Sequence, residues 1–265
     1  MISQSLVSSY KIWFDNYVDQ FIQQYPDLAE NIEIKADHSR KVCAEIAGIA
    51  HSLSLNEEDS LIAETIGLFH DIGRFRQYVK YHTFSDSKSQ NHSELGVEVL
   101  KENKVLNDLS NDTQEIIFKS IINHSRAEII PDINEKVIFF SRLIRDADKL
   151  DIWRLITEYY MVKEQGENKT LELELPDNHK ISDEVFEAII NKQIVLKESM
   201  QTLNDFKLLQ IGWLFDLNFN YSIHRLYEKN YLDKIFQTLP KSEKVSQIKD
   251  IVSDYFKERI ETFTY

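Results

Sequence analysis

An apolar run that ends in a histidine and an aspartate limits the possible folds of this chain more than any other feature. Residues 61–77 read LIAETIGLFHDIGRFRQ, and His70 follows Ile62 and Ile66 at helical steps of four. A helix that served only to bury apolar side chains would not carry a carboxylate at its buried end. Because an uncompensated buried carboxylate costs several kcal/mol, Asp71 must either reach water or meet a positive charge.

The rest of the chain predicts an all-α fold. Of 265 residues only 6 are glycine and 4 are proline, which is typical of helices joined by short connections. We predict one all-α domain over residues 1–265, and the alternation of Leu171, Leu173 and Leu175 with glutamates also admits a short strand or an extended segment there. The helices are predicted over residues 3–25, from 37 onwards, 57–71, from 91 onwards, 111–124, 134–163, 182–200, 203–238 with breaks, and 241–262.

Charge and cysteine content argue against several classes of protein. A formal charge of −13 is not typical of a protein that coats nucleic acid, although local positive charge is enough to hold a small phosphorylated substrate. The single cysteine, Cys43, excludes an intramolecular disulfide and fits a reducing compartment. Because the sequence shows neither a secretion signal nor an apolar run of membrane-spanning length, we expect a cytoplasmic protein with no membrane partner.

Three further histidines and one aspartate lie on apolar helical faces as His70 does. Each is one helical turn from an apolar neighbour: His38 from Val42, His92 from Leu95, His124 from Ile121, and Asp148 from Ile144. Taken singly, such a residue is more often a hydrogen-bonded core residue than a ligand. Taken with His70 and Asp71, the set would carry a large desolvation cost, which clustering around divalent cations removes. The sequence therefore predicts a metal site.

Helix geometry selects one aspartate from the segment RDADKLD, residues 145–151. At about 100° per residue, Asp148 lies roughly 40° from Ile144 and Asp146 lies about 200° from it. We therefore expect Asp148 to face the core and Asp146 to face away. Asp146 and Asp151 are expected to be surface acids or partners that support the ligands.

The ordered pattern of these residues resembles the H…HD…D signature of the HD-domain superfamily, the metal-dependent phosphohydrolases of all-α fold. The stretches HDIGRF and NHSELG are similar to the branch with two-metal sites, where two more histidines fall between the doublet and the last aspartate. The resemblance covers residues 30–160. It implies a helical bundle with a core over residues 28–163 and a C-terminal helical extension over residues 180–265.

The resemblance also implies a metal centre with one or two divalent ions, for which Mn, Fe, Mg, Zn and Co are candidates. Asp71 would bridge the two ions. The first would be held by His38, His70, Asp71 and Asp148, and the second by Asp71, His92 and His124.

The activity implied by the family is hydrolysis of a small phosphoester, such as a nucleotide, by a metal-activated water. Gly73 is expected to end the preceding helix and let the chain turn back over the site, so that Arg74 can clamp a phosphate in bidentate fashion. The candidate catalytic residues are Asp71, Arg74 and Lys149, with Arg76 and Arg126 as additional candidates for phosphate binding.

Two other interpretations stay open at this point. A few HD-domain proteins use the same six ligands to hold two irons and oxidise a small substrate with dioxygen, and the ligand pattern does not separate them from the hydrolases. A non-catalytic regulatory module would be expected to have lost metal positions, whereas all six are present here. The expected partner is a small phosphorylated substrate, and a homo-oligomer is compatible with the sequence.

Overall fold

The protein is helical throughout the part of the chain that the structure describes. The computed structural model describes residues 2–132, 134–162 and 168–261, and within these ranges the regular elements are α-helices and short 3₁₀ turns, with no strand. The predicted all-α fold is therefore confirmed. Lys163, the predicted end of the long central helix, and residues 164–167 lie outside the described residues.

The chain divides into two compact units, Met1–Asp151 and Ile152–Tyr265. The boundary falls inside one long helix, so the helix contributes residues to both units. The predicted single domain, with a core over residues 28–163 and an extension over residues 180–265, stays a prediction.

The first unit contains six helices and most of a seventh. They are α1 (Gln4–Gln24), α2 (Ala29–Ser52), α3 (Glu57–Phe69), α4 (Gly73–Tyr81), α5 (His92–Glu102), α6 (Asn111–His124) and α7 (Glu135–Val162). Helix α2 packs along α3, α4 packs on α5, and α5 packs on α6, while α1 covers α2 and α3. This order of packing brings the ends of α3, α5 and α6 and the middle of α2 into one region of the core.

Side-chain caps begin several of these helices at the positions that the sequence indicates. Asn56 accepts a hydrogen bond from the Asp59 amide at 2.8 Å, and Ser110 accepts one from the Thr113 amide at 3.3 Å. Asn91 caps α5 by accepting from the amide of Glu94. Each cap satisfies an amide that a helix start leaves unpaired, and the caps of α3, α5 and α6 fix the start of three helices that carry candidate ligands.

Three helix boundaries differ from the prediction, and one of them lies later in the chain, where the helix predicted over residues 182–200 ends at Ile190. Helix α2 begins at Ala29 rather than near Asp37, because Ile32 and Ala36 extend its buried stripe by two turns. Helix α3 ends at Phe69, and Gly73 is the first residue of α4 rather than a turn-back after α3. Gly73 does not have a positive φ, so its conformational freedom is not needed there. Its lack of a side chain is needed, because the backbone of α5 lies close to it.

In the described part of the second unit, the end of α7 is followed by five further helices, α8 (Asp183–Ile190), α9 (Leu203–Gly212), α10 (Asn220–Glu228), α11 (Tyr231–Phe236) and α12 (Glu243–Glu261). The short strand or extended segment that the alternating leucines admit at residues 171–175 does not form. The described residues there form turns, and Leu173 and Glu174 adopt left-handed φ values of 53° and 57°, which interrupt a strand. An alternating pattern of this length, without a neighbouring strand to pair with, does not fix an extended conformation.

Among the described residues, no helix has both the length and the apolar content that crossing a membrane requires.

Candidate metal centre

Six predicted site residues come together in the core of the first unit. His70 and Asp71 lie in the turn between α3 and α4, and the other four come from α2, the start of α5, the end of α6 and the middle of α7: His38, His92, His124 and Asp148. The four histidines and Asp71 are buried, and the Asp148 side chain is 16% exposed. The structure therefore brings together every residue of the predicted ligand set.

The two carboxylate oxygens of Asp71 face different pairs of histidines. Asp71 Oδ2 lies 3.7 Å from His38 Nε2 and 3.7 Å from His70 Nε2. Asp71 Oδ1 lies 3.3 Å from His92 Nε2 and 3.8 Å from His124 Nε2. We call these the Oδ2 side and the Oδ1 side of the centre. A carboxylate between two groups of donors has the arrangement that a bridging ligand requires.

Asp148 belongs to the Oδ2 side. Its Oδ1 atom lies 3.1 Å from His38 Nε2 and 3.6 Å from His70 Nε2. The Oδ2 side thus offers two imidazoles and two carboxylates, whereas the Oδ1 side offers two imidazoles and the shared Asp71.

Two of the imidazoles are held from behind by carboxylates. His38 Nδ1 donates to Asp151 Oδ2 at 2.8 Å, and His92 Nδ1 lies 2.8 Å and 2.9 Å from the two oxygens of Asp86. A carboxylate accepts and does not donate, so each of these rings carries a proton on Nδ1. The Nε2 atom of each ring is then left to face the centre.

The other two imidazoles are held by backbone carbonyls of their own helices. His70 Nδ1 donates to the Gly67 carbonyl at 2.8 Å, and His124 Nδ1 donates to the Ile121 carbonyl. Because a carbonyl also only accepts, these rings have the same tautomer as the carboxylate-held pair. In their neutral forms all four histidines therefore point an Nε2 lone pair at the centre, the arrangement typical of imidazoles that bind a metal through Nε2.

The set of nitrogen and oxygen atoms at the centre fits a cation. The Nε2 atoms of His38 and His70 lie 3.3 Å apart, and those of His92 and His124 lie 3.1 Å apart, so lone pairs face each other beside two carboxylates. Such a cluster of acceptors is unfavourable unless positive charge occupies its centre. Around an ion with ligands at about 2.1 Å, neighbouring ligand atoms lie about 3.0–3.4 Å apart, which is close to the separations seen here. Imidazole and carboxylate groups are ordinary ligands of divalent transition metals.

The pKa values of the residues at the centre also indicate that it favours positive charge. Burial and the Lys35 ammonium lower the pKa of His38, but the hydrogen bonds to Asp148 and Asp151 outweigh them and raise it to about 9. Burial alone would raise the pKa of Asp71, but the charge of Lys35, followed by those of other neighbours, holds it well below its usual range. The centre thus keeps its carboxylates ionised and, without a metal, attracts a proton to His38.

Lys35 is a site residue that the sequence analysis missed. Its ammonium donates to Asp71 Oδ2 at 2.8 Å, and its side chain is 12% exposed. The residue lies in the part of α2 that precedes the predicted helix start near Asp37, so its position relative to His38 could not be inferred. A helix start at Ala29 would have placed Lys35 and His38 one turn apart on the same face.

Arg74 lies next to Asp71 but is held by the protein on two of its nitrogens. Its Nε atom donates to Asp71 Oδ1 at 3.3 Å, and its Nη1 atom contacts Gln77 Oε1, the Phe84 carbonyl and Asp86 Oδ1 at 2.8, 2.6 and 3.1 Å. Among the described residues, Nη2 alone of its nitrogens has no hydrogen-bond partner. The expected bidentate clamp on a phosphate would require Arg74 to give up one of these contacts, so a single contact through Nη2 fits the structure better.

The other predicted cations have different surroundings. Lys149 is buried in α7, and its ammonium lies 3.4 Å from the Arg145 carbonyl. Arg76 forms an ion pair with Glu102 at 2.7 Å, and Arg126 lies 3.4 Å from Glu94. Since Arg76 and Arg126 pair with exposed acids, both behave as surface charges.

The expectation that Asp146 faces away from the core is wrong, and the expectation for Asp151 is resolved in favour of a supporting role. Asp146 is fully buried, because α7 is buried on nearly all sides over residues 143–151 and has no solvent-exposed face there. The prediction assumed a single apolar stripe. Asp151 lies behind His38, as described above, and Asp86 has the same role behind His92, although nothing in the spacing of its loop indicated it.

The comparison with protein families agrees with this geometry. Residues 36–153 match the family model of the HD domain, and this range contains all six members of the cluster. A search of curated proteins and a search of solved structures each returned no match. Residues 36–153, somewhat less than half of the chain, are thus similar in sequence to an HD domain, and the buried histidines and aspartates are compatible with the metal-binding site of that class of domain.

Proposed function

We propose that this HD-domain chain is a metal-dependent phosphohydrolase that cleaves a small phosphoester, such as a nucleotide. The observation that carries the proposal is the position of Asp71, whose two oxygens face separate histidine pairs. Hydrolysis of a phosphoester is favoured by positive charge beside both the attacking and the leaving oxygen, and a pair of divalent cations would supply it.

The proposed ligands follow from the two sides of the centre. On the Oδ2 side, a cation would be held by His38, His70, Asp71 and Asp148, and on the Oδ1 side by Asp71, His92 and His124. Bound divalent ions supply Lewis-acid stabilisation of phosphoryl oxygens and lower the pKa of a bound water. Three or four protein ligands per ion leave room for water and substrate, as a catalytic site needs.

The residues beside Asp71 are proposed to bind and orient the substrate. The Lys35 ammonium and the unbonded Nη2 of Arg74 place two positive groups next to the shared carboxylate, and both can contact phosphate oxygens. Lys149 is proposed to add positive charge next to Asp148 in α7. The remaining exposure of Asp148 leaves the centre open to solvent and substrate.

The test is a combined analysis of metal content and hydrolysis. The purified protein is analysed for bound elements, then assayed for phosphate release from nucleotides and sugar phosphates with Mn²⁺, Mg²⁺, Co²⁺ or Zn²⁺. We expect two divalent ions per chain and metal-dependent phosphate release. Asp71→Ala is expected to lose both ions and the activity, whereas Asp15→Ala, which removes an exposed acid paired with Arg40, is expected to keep both.

Three results would contradict the proposal. A wild-type protein that binds no divalent ion would exclude the metal centre. Near-normal metal content in Asp71→Ala would exclude the bridge. Two bound irons with oxygen consumption, and no phosphate release with any metal, would instead favour an HD-type oxygenase that oxidises a small substrate.

A further inference from the structure

The two sides of the centre are supported by different parts of the chain. Each side contains one imidazole held by a helix carbonyl and one held by a carboxylate. On the Oδ2 side the carboxylate is Asp151, which is part of helix α7. On the Oδ1 side it is Asp86, which lies in the loop between α4 and α5 at the start of a short 3₁₀ turn.

Asp86 is fixed by contacts that connect it to the rest of the site. Both of its oxygens lie within 2.9 Å of His92 Nδ1. Its Oδ1 atom also accepts from Arg74 Nη1 at 3.1 Å and from Gln77 Nε2 at 2.8 Å. Arg74 in turn contacts Asp71. Asp86 therefore joins the loop to His92 and, through Arg74, to the shared carboxylate.

Gln77 holds the same loop at two further points. Its buried amide nitrogen also lies 2.8 Å from Ser89 Oγ and 2.8 Å from the Gln90 carbonyl oxygen, so its two hydrogens are shared among three acceptors. With these contacts the loop is fixed against α4 at both ends of the 3₁₀ turn. The orientation of the His92 ring thus depends on a folded loop. The orientation of the His38 ring depends instead on helix α2, which carries it, and on helix α7, which carries Asp151.

We propose that Asp86 is a positioning residue for the cation on the Oδ1 side, and that through it the loop of residues 83–91 controls binding of that cation separately from the other. The inference rests on the proposed metal centre. A carboxylate behind a metal-binding imidazole fixes its tautomer and orientation and raises its basicity, and its removal costs about 10–100-fold in metal affinity. Asp151 has the same role for the Oδ2 side.

The experiment is a calorimetric titration of the metal-free full-length protein with Mn²⁺, together with Mn²⁺ electron paramagnetic resonance. For Asp86→Asn we expect one of the two sites to weaken about 10–100-fold and the signal of a coupled Mn²⁺ pair to be lost at low Mn²⁺. Asp86→Glu, which keeps the carboxylate, is expected to recover part of the affinity. Ser87→Ala, in the same loop with a hydroxyl that pairs with Ser85, is expected to titrate as the wild type does.

A mutant cycle identifies which side Asp86 serves. In a His38→Ala background, which weakens the Oδ2 side, Asp86→Asn should weaken the remaining site about 10–100-fold. In a His92→Ala background it should change the remaining site by less than about twofold. Equal losses in both backgrounds, or an Asp86→Asn protein that titrates as the wild type does, would overturn the inference.

The outcomes separate this inference from the proposed function. If the wild type binds no Mn²⁺, both fail. If it binds two ions and Asp86→Asn is unaffected, only the positioning role fails. If the cycle gives the expected pattern but no phosphoester is cleaved, the positioning role stands and the proposed activity fails.

Discussion

Lys35 Nζ and Asp71 Oδ2 form an ion pair of 2.8 Å inside the first unit, with side chains that are 12% and 4% exposed. The ammonium compensates the carboxylate that is proposed to bridge two cations. Asp71 therefore has a counter-ion even in metal-free protein, and this allows a buried acid to persist in the core before any metal binds.

Replacement of Lys35 by methionine should destabilise the metal-free protein far more than the metal-bound one. Without a metal, Asp71 would lose the closer of its two cationic partners and keep only the contact with Arg74 Nε at 3.3 Å, at a cost of about 3 kcal/mol in the free energy of unfolding. With saturating Mn²⁺ the cation compensates Asp71, and we expect a loss below about 1 kcal/mol. The measurement is urea unfolding of Lys35→Met with a chelator and with Mn²⁺.

The control for Lys35→Met is Lys11→Met, which removes an ammonium from a more exposed ion pair with Glu64. A pair of this kind contributes less than about 1 kcal/mol, and the loss should not depend on Mn²⁺. An equal destabilisation of Lys35→Met with and without Mn²⁺ would contradict the role assigned to Lys35.

A methyl group at Gly73 should separate α4 from α5 and displace His92. A Cβ atom there would overlap the His92 carbonyl oxygen and the Gly96 amide nitrogen, which are backbone atoms that cannot turn aside. We expect Gly73→Ala to cost about 1–3 kcal/mol of stability and to weaken Mn²⁺ binding. Gly212→Ala is the matched control, because this helical glycine lies in the second unit and its Cβ would meet only side chains, the nearest being Val195 at 3.3 Å. Comparable losses in the two variants would show that the close approach at Gly73 is unimportant.

Cys43 should resist alkylation in the native protein. Burial, followed by the neighbouring Glu64, raises the pKa of its thiol to about 12, and the thiol contacts the Glu64 carbonyl at 3.7 Å. A raised pKa keeps the thiol protonated, so at pH 8 the thiolate fraction is roughly a thousandfold below that of a free cysteine. Mass spectrometry after iodoacetamide treatment should show no adduct on native protein and one adduct after unfolding in urea. Rapid modification of native protein would contradict this environment.

Part of the metal centre was predictable because its residues follow helical periodicity. The four histidines lie on the buried face of a helix or directly at its end: His38, His70, His92 and His124. A side chain on the apolar face of a helix is expected to be buried whichever element packs against that face. Burying each of these histidines alone in the core would cost free energy, and that cost is removed when they lie together around a cation. We could therefore infer that the four helices bring their histidines to one place. The sequence therefore identified which side chains meet.

The partners of these residues were not predictable in the same way. Asp86 lies in an irregular loop, where no periodicity relates its position to His92. Lys35 was missed because the start of α2 was placed too late. Asp146 was assigned to the wrong environment because a helix that is buried on nearly all sides cannot be recognised from a single stripe.

The most direct test of the central claim is a crystal structure of the Mn²⁺-loaded protein with anomalous diffraction data. The account predicts two anomalous peaks, one beside each oxygen of Asp71, with His38, His70 and Asp148 around the first and His92 and His124 around the second. A single peak, or Mn²⁺ bound away from Asp71, would contradict it.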